Sequence, residues 1–277
     1  MARLAIVTCN ELPEPDVDES LLMSALSDAG IDAELVAWDN PNVDWTRFDL
    51  AVIRSTWNYP EVPTQFKGWI LETKGICQIL NPPHVLMANI DKHYLGGLQA
   101  DGVETVPTVF PNRSKPVGDW IGAYESSIVI KPAVSAGSWL TERFTTSEFD
   151  QAADFLECHW HERDMMIQPY LDSVENGGET AWIWIDGQIT HGVRKAPRFS
   201  DGFESVSHAI EPTAFERDLV EQIIAKSDSD LLYARVDLMR SGDQWLLSEL
   251  ELIEPSLFFL QHRPALDRFV HALSQRL

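Results

Sequence analysis

The sequence predicts an α/β protein whose first eighty residues form a small open parallel sheet. Two observations carry this. Short apolar runs alternate with amphipathic helical stretches, the pattern of βαβ units. Turn residues also punctuate the joints, with Gly30 behind a helical face and Asn81-Pro82-Pro83 closing the unit.

The elements follow in order. Leu4 to Val7 reads as a buried strand. Glu19 to Ala29 places Leu22, Ala25, Leu26 and Ala29 on one helical face. Glu34 to Ala37, Leu50 to Ile53 and Cys77 to Leu80 are further strands, and Thr64 to Glu72 is a helix with Phe66 and Ile70 four apart. A helical stretch, Val85 to Gln99, leads through Gly102 to Pro107. Ser127 to Pro132 is a strand followed by a loop of small residues, Ala133 to Ser138. Ser147 to Cys158 is an amphipathic helix, with Ser147 and Asp150 serving its N-terminal end. Met165 to Leu171 is a strand running into a linker with Gly177-Gly178. Thr180 to Ile185, Leu232 to Met239 and Gln244 to Leu252 are strands, and Ala214 to Ser227 is a helix.

With 277 residues the chain can bury a sizeable core. Its formal charge of -22 opposes binding to nucleic-acid phosphates or anionic lipid heads, so neither partner is expected. No apolar run reaches the length of a membrane span, and the N-terminus lacks the apolar region of a signal peptide. Cys9, Cys77 and Cys158 are odd in number and far apart, which suits a reducing cytoplasm better than a disulfide framework or zinc ribbon. P-loop, Rossmann, His-Glu-x-x-His and nucleophile-elbow motifs are missing. Cys158-His-Trp-His-Glu162 has a metal-like composition, but histidines two apart point to different helix faces, so a structural or surface role is expected.

The strongest local signal lies in two C-terminal strands. If Tyr233–Met239 and Gln244–Leu252 pair about Arg240-Ser-Gly-Asp243 so that odd faces odd, then Arg235, Asp237, Glu249 and Glu251 share one face. Three carboxylates on a partly buried face repel one another, and a hard divalent cation such as Mg²⁺ or Mn²⁺ would neutralise them. A solvated hairpin face with cross-strand ion pairs is the other reading. A second signal is cationic. Lys131 ends an apolar strand, Lys92 lies just after Pro82-Pro83, and Arg194-Lys195 with Arg198 follows the strand that begins at Trp182. An acidic protein holding a polyphosphate needs such local compensation. Backbone N–H groups and hydroxyls of Val134-Ser-Ala-Gly-Ser138 could fold over phosphates.

In order and spacing, these features resemble the ATP-grasp superfamily over Val85 to Leu260. The likeness rests on Asp91-Lys92, Val129-Ile-Lys-Pro132, Gln168-Pro-Tyr-Leu171, Gly178-Glu179, Arg194, Arg235-x-Asp237 and Glu249-x-Glu251. Arg54-Ser-Thr-Trp-Asn-Tyr59, Lys131-Pro-Ala-Val-Ser-Ala-Gly-Ser138 and Glu249-Leu-Glu-x-x-Glu-Pro-Ser-Leu257 extend it to the whole chain. At that level it resembles the branch containing the O-ureido-serine cyclo-ligase of cycloserine biosynthesis.

The resemblance implies an ATP-grasp fold. Residues 1–84 would be the open α/β domain, 85–170 the central lobe and 171–277 the C-terminal lobe carrying the metal site. Lys92, Lys131 and Ser135 would contact the nucleotide phosphates, with Lys131 also near the adenine. Gln168, Pro169, Tyr170 and Leu171 would read the adenine edge, and Glu179 would hold the ribose. Arg194 and Arg235 would steady the transferred phosphoryl group, while Asp237, Glu249 and Glu251 would bind Mg²⁺; Glu251 stands where the superfamily usually has Asn. Arg54, Ser55, Trp57 and Tyr59 follow the third strand, where open α/β sheets place ligands. They would hold a small amino-acid-like substrate, with Arg54 pairing to its carboxylate. The expected activity is ATP-dependent ligation of a carboxylate to an amine through an acyl phosphate. A nucleotide-binding regulatory protein and a phosphotransferase remain open, as does a homodimer.

Overall fold

The computed structural model describes residues 2–196, 205–227 and 230–277. The first unit is a parallel sheet of β1 (Arg3–Thr8), β2 (Asp32–Ala37), β3 (Leu50–Ser55) and β4 (Gln78–Leu80), in the order β2-β1-β3-β4. Two helices connect its strands, α1 (Glu19–Asp28) and α2 (Pro63–Thr73). β1 and β3 are buried on both faces, as expected where helices cover a parallel sheet. Gly30 follows α1 at φ +73°, the left-handed conformation that ends helices.

The expected helix Val85–Gln99 is two helices, α3 (Pro83–Asn89) and α4 (Tyr94–Ala100), with Lys92 in the break between them. Beyond a short helix, α5 (Val117–Ile121), comes a three-stranded antiparallel sheet. Its strands are β5 (Ile128–Pro132), β6 (Glu142–Phe144) and β7 (Met165–Pro169), in the order β6-β5-β7, backed by α6 (Phe149–His159). A single turn of 3₁₀ helix precedes α6, so its capping box is Thr145 with Glu148 and not Ser147 with Asp150. The expected linker at Gly177-Gly178 contains a short helix, α7 (Ser173–Gly177).

The largest sheet is antiparallel, in the order β11-β10-β8-β9. Its strands are β8 (Glu179–Ile185), β9 (Gln188–Lys195), β10 (Tyr233–Ser241) and β11 (Gln244–Glu251); α8 (Ala214–Ile224) and α9 (Arg263–Ser274) pack with it. Strand alternation divides its faces. Trp182, Trp184, Ala234, Val236 and Leu238 enter a core with α8 and with Leu95 and Leu98 of α4. Ile183, Ile185 and Tyr233 join α9 and α1 in a second core that reaches Leu4 and Ile6 of the parallel sheet.

Residues 83–106 therefore pack on the C-terminal sheet as well as leading to the three-stranded one. Asn89 brackets the edge strand β11, its Nδ2 donating to the Leu250 carbonyl at 2.8 Å while its Oδ1 accepts from the Leu252 N–H at 2.9 Å. The Tyr94 hydroxyl accepts from the Leu250 N–H. Buried Asn81, read from sequence as punctuation, ties the first unit to this sheet. Its Nδ2 donates to the carbonyls of Tyr233 and Leu252, and its Oδ1 accepts from the Leu232 N–H. Among the described residues no helix is long and apolar enough to cross a membrane.

Candidate active site

A cavity of about 660 Å³ opens where the three sheets meet. Its floor is the far end of the β8–β10 face that carries Ile183 and Tyr233 in the core, so the same alternation that buries those residues turns Glu179, Arg235 and Asp237 inward. β10 and β11 pair Arg235 with Glu251 and Asp237 with Glu249, the odd-to-odd register expected, through a bulge between Asp237 and Leu238. All four side chains line the cavity.

Cations and carboxylates interlock there. Arg235 grips Asp237 in a fork, Nε to Oδ1 at 2.9 Å and an Nη to Oδ2 at 2.8 Å, and also donates to Glu251. Lys131 Nζ lies 2.6 Å from Glu249 Oε1, and Lys92 Nζ is 3.7 Å from Glu249 Oε2. Lys92 also donates to the Ser135 carbonyl at 2.8 Å and hydroxyl at 2.9 Å, pinning the Ala133–Ser138 loop over the site. Gly137 and Ser138 both take the left-handed conformation there, at φ +58° and +61°.

The structure differs from the sequence expectation at Arg194. Glu179 pairs with Lys195 and Thr180 with Arg194, so adjacent residues of β9 point to opposite faces. Arg194 is exposed and stands outside the cavity. Lys195 is the inward cation, its Nζ 2.8 Å from Glu179 Oε2 and 2.6 Å from Asp237 Oδ2. Glycine at 178 permits this packing: at φ +71°, an added Cβ would lie 2.6 Å from the Lys195 carbonyl oxygen. Arg198, the third cation of that run, lies outside the described residues.

Arg54 and Ser55 depart in the same sense. Arg54 is 3% exposed, its guanidinium packed over the rings of Tyr233, Phe259 and Phe269, and it does not line the cavity. Ser55 is fully buried and donates to Thr8 Oγ1. Trp57 and Tyr59, past the strand end, do line the cavity. Gln168, Pro169, Tyr170 and Leu171 form one wall. The Gln168 amide is tied to the Thr108 hydroxyl at 2.9 Å, and the Tyr170 N–H donates to the Ser127 carbonyl at 2.8 Å. His159, the last residue of α6, is half-buried and His161 beyond it is exposed; neither lines the cavity, and His161 contacts Glu157 and Arg113.

Burial raises the carboxyl pKa throughout the site, and the cations decide which groups escape. At Glu249 and Asp237 desolvation is outweighed, by Lys131 and Lys92 in the first case and by Arg235 and Lys195 in the second, so both stay ionised. At Glu251 desolvation wins over Arg235, pushing the carboxyl up to about 7. Glu254, on the segment after β11, is pushed up to about 8 by burial and then by the neighbouring Glu251 charge. The sequence assigns no site role of their own to Lys195 and Glu254. Lys195 is half of a basic pair whose inward member only the register selects. Glu254 appeared only as one letter of the Glu249–Leu257 motif.

Residues 4–81 match the family described as D-cycloserine synthetase DcsG, N-terminal domain. Over its whole length the chain is 30% identical to the cycloserine biosynthesis protein DcsG of Streptomyces lavendulae, covering 99% of that protein. The chain belongs to the DcsG family of ATP-grasp ligases. A crystal structure of D-cycloserine synthetase DcsG superposes on this DcsG-family ligase with a TM-score of 0.89 at 28% identity, covering 99% of both chains. The fold is shared more widely. PsnB, an ATP-grasp ligase solved with a variant of its minimal precursor, Mg and ADP, matches with a TM-score of 0.66 at 14% identity, over 100% of this chain and 99% of that one.

The residues of this DcsG-family ligase fit a nucleotide with a divalent cation. Among the described residues, the N–H groups of Ser135, Ala136, Gly137 and Ser138 have no protein acceptor, leaving four donors on the loop over the cavity. Asp237, Glu249 and Glu251 line the same cavity and offer oxygen donors, the kind that Mg²⁺ prefers.

Proposed function

We propose that this protein is an ATP- and Mg²⁺-dependent carboxylate–amine ligase acting on a small amino-acid-like substrate. ATP phosphorylates the substrate carboxylate, a nitrogen attacks the resulting acyl phosphate, and ADP and orthophosphate leave. The observation that carries this reading is the interlocked set of Lys92, Lys131, Lys195 and Arg235 around Glu249, Asp237 and Glu251. Plain nucleotide binding does not need three carboxylates, one buried and two half-buried, held at the cations that would meet the phosphates.

Lys92, Lys131 and the Ser135 loop would hold the phosphates, and the Gln168 to Leu171 backbone the adenine. Glu179 lies beside Lys195 and would take the ribose. Lys195 and Arg235 would face the transferring phosphoryl group, where fixed positive charge lowers the barrier without reorganisation. Asp237, Glu249 and Glu251 would hold Mg²⁺, which when bound neutralises phosphate charge. Trp57 and Tyr59 would wall the substrate end. Similarity to a D-cycloserine synthetase over the full chain supports an intramolecular ligation, closing a ring within one amino-acid-like molecule.

The test is ATP consumption by the purified protein with Mg²⁺ and O-ureido-serine, alongside a panel of carboxylates and amines. The expected result is ADP and orthophosphate in equal amounts with a new amide. AMP with pyrophosphate would reject the acyl-phosphate route, and a phosphorylated end product without nitrogen attack would mark a phosphotransferase.

A further inference from the structure

One buried carboxylate of the cavity forms no ion pair among the described residues, although Lys92 and Arg235 lie near enough to act on its charge. Among the described residues Lys92 and Lys131 pair with Glu249, Lys195 with Glu179 and Asp237, and Arg235 with Asp237 and Glu251. Glu254 lines the same cavity, is 8% exposed and forms no ion pair among the described residues. Its main chain is locked in place, because Trp57 Nε1 donates to the Glu254 carbonyl at 3.1 Å. Its carboxylate takes a side-chain hydrogen bond from Tyr59, itself 3% exposed. An acidic group this deep, hydrogen-bonded to a tyrosine but ion-paired with no described cation, points to a partner that arrives from the cavity.

The chemistry of that partner follows from the rest of the site. Phosphates and metal ions belong among the lysines, Arg235 and the Asp237, Glu249 and Glu251 carboxylates, which Glu254 adjoins on the side of Trp57 and Tyr59. An amino-acid-like substrate placed with its carboxylate toward that cluster still carries an ammonium that must leave water. A buried carboxylate fixed beside a tyrosine hydroxyl suits an ammonium by charge-assisted hydrogen bonding.

We propose that Glu254 is the specificity-determining residue for the substrate's free ammonium group, with Tyr59 and Trp57 holding it in place. The proposal rests on the ligase reading above. It restricts the substrate class to amino acids with an unblocked amine and excludes their N-acyl derivatives. Glu254 thereby selects the substrate and takes no part in phosphoryl transfer.

The experiment is a binding titration, so it needs no turnover. Intrinsic tryptophan fluorescence is followed while O-ureido-serine or its N-acetyl derivative is added to wild type and to Glu254→Gln, with a non-hydrolysable ATP analogue and Mg²⁺ present. The expected result is that wild type binds the free amino acid about tenfold or more tightly than the N-acetyl form. Glu254→Gln should lose that preference while keeping wild-type affinity for the ATP analogue, which also reports that the variant is folded. Equal binding of both compounds by wild type would overturn the proposal without any variant, as would failure of wild type to bind the free amino acid. Retention of the preference in Glu254→Gln would overturn it as well. The ligase reading fails separately, if a wild type that binds amino acid and nucleotide releases no ADP.

Discussion

Lys195 Nζ and Asp237 Oδ2 lie 2.6 Å apart, a contact that spans β8 to join β9 with β10. The preceding residue, Arg194, faces away from the cavity and is exposed. A buried carboxylate held by both Lys195 and Arg235 gives the site a cationic face of defined geometry, and removing one partner leaves an uncompensated charge.

Lys195→Ala should therefore lower ATP-dependent turnover by about a hundredfold or more, the scale seen when a preorganised electrostatic donor is removed. Arg194→Ala should stay within about threefold of wild type, because surface substitutions clear of such features change little. ADP release for the two variants side by side is the measurement. Equal loss in both would mean that Arg194 reaches the site after all.

Arg54 is a packing residue in this structure, its guanidinium within 6.0 Å of three ring centroids and away from the cavity lining. Arg54→Ala should cost about 2–4 kcal/mol of stability through lost ring contacts and a void. The KM for the amino-acid substrate should be little changed at a temperature where the variant is folded. Denaturant melts paired with steady-state kinetics separate the two effects. A large KM rise with unchanged stability would restore Arg54 to the substrate site.

Glu254 gives a pH signature. Its pKa in the fold, about 8, stands above the ordinary carboxyl value, so the folded state prefers the protonated form. A raised carboxyl pKa means that stability is fully present below the unfolded value and is lost as pH rises through the folded one. Glu254→Gln cannot titrate and should gain stability relative to wild type between about pH 5 and pH 8, with the difference levelling off above that. Thermal melts of both proteins across that range, without ligands, check this. A difference that does not change with pH would show that Glu254 is already compensated in the free protein.

The proposed metal site separates two neighbours. Glu249 is held ionised against its burial by Lys131 and Lys92, whereas Glu251 is pushed up to about 7. Glu251→Asn removes the costlier charge and keeps an oxygen ligand, so turnover should remain within about tenfold of wild type with a shifted Mg²⁺ requirement. Glu249→Gln strands two lysines and should reduce turnover by about a hundredfold or more. Activity against Mg²⁺ concentration at saturating ATP tests both. Unchanged Mg²⁺ dependence in each would remove these carboxylates from the metal site.

By itself the sequence determined the kinds of element and the chemistry on offer. In the first eighty residues, apolar runs separated by helical stretches read as parallel strands, because a crossover helix brings the next strand back in the same direction and covers its face. A cluster of acids and bases at apolar strand ends had to face a polyvalent ligand or one another. Which residues meet was decided in three dimensions. Counted from the Ser241–Gln244 pair beside the turn, an unbroken ladder would set Asp237 against Ser248. The bulge inserts one residue and sets it against Glu249, while Leu247 still turns into the core. The register of β8 with β9 chose Lys195 over Arg194, since a side chain's face depends on pairing and not on its letter. Burial of Arg54 among rings that include Tyr233 of β10 and Phe269 of α9, and of Glu254 against Trp57 and Tyr59, arises from segments some two hundred residues apart. Local pattern carries no information about such contacts, because periodicity reports what a residue's own element buries and not which other element arrives to cover it.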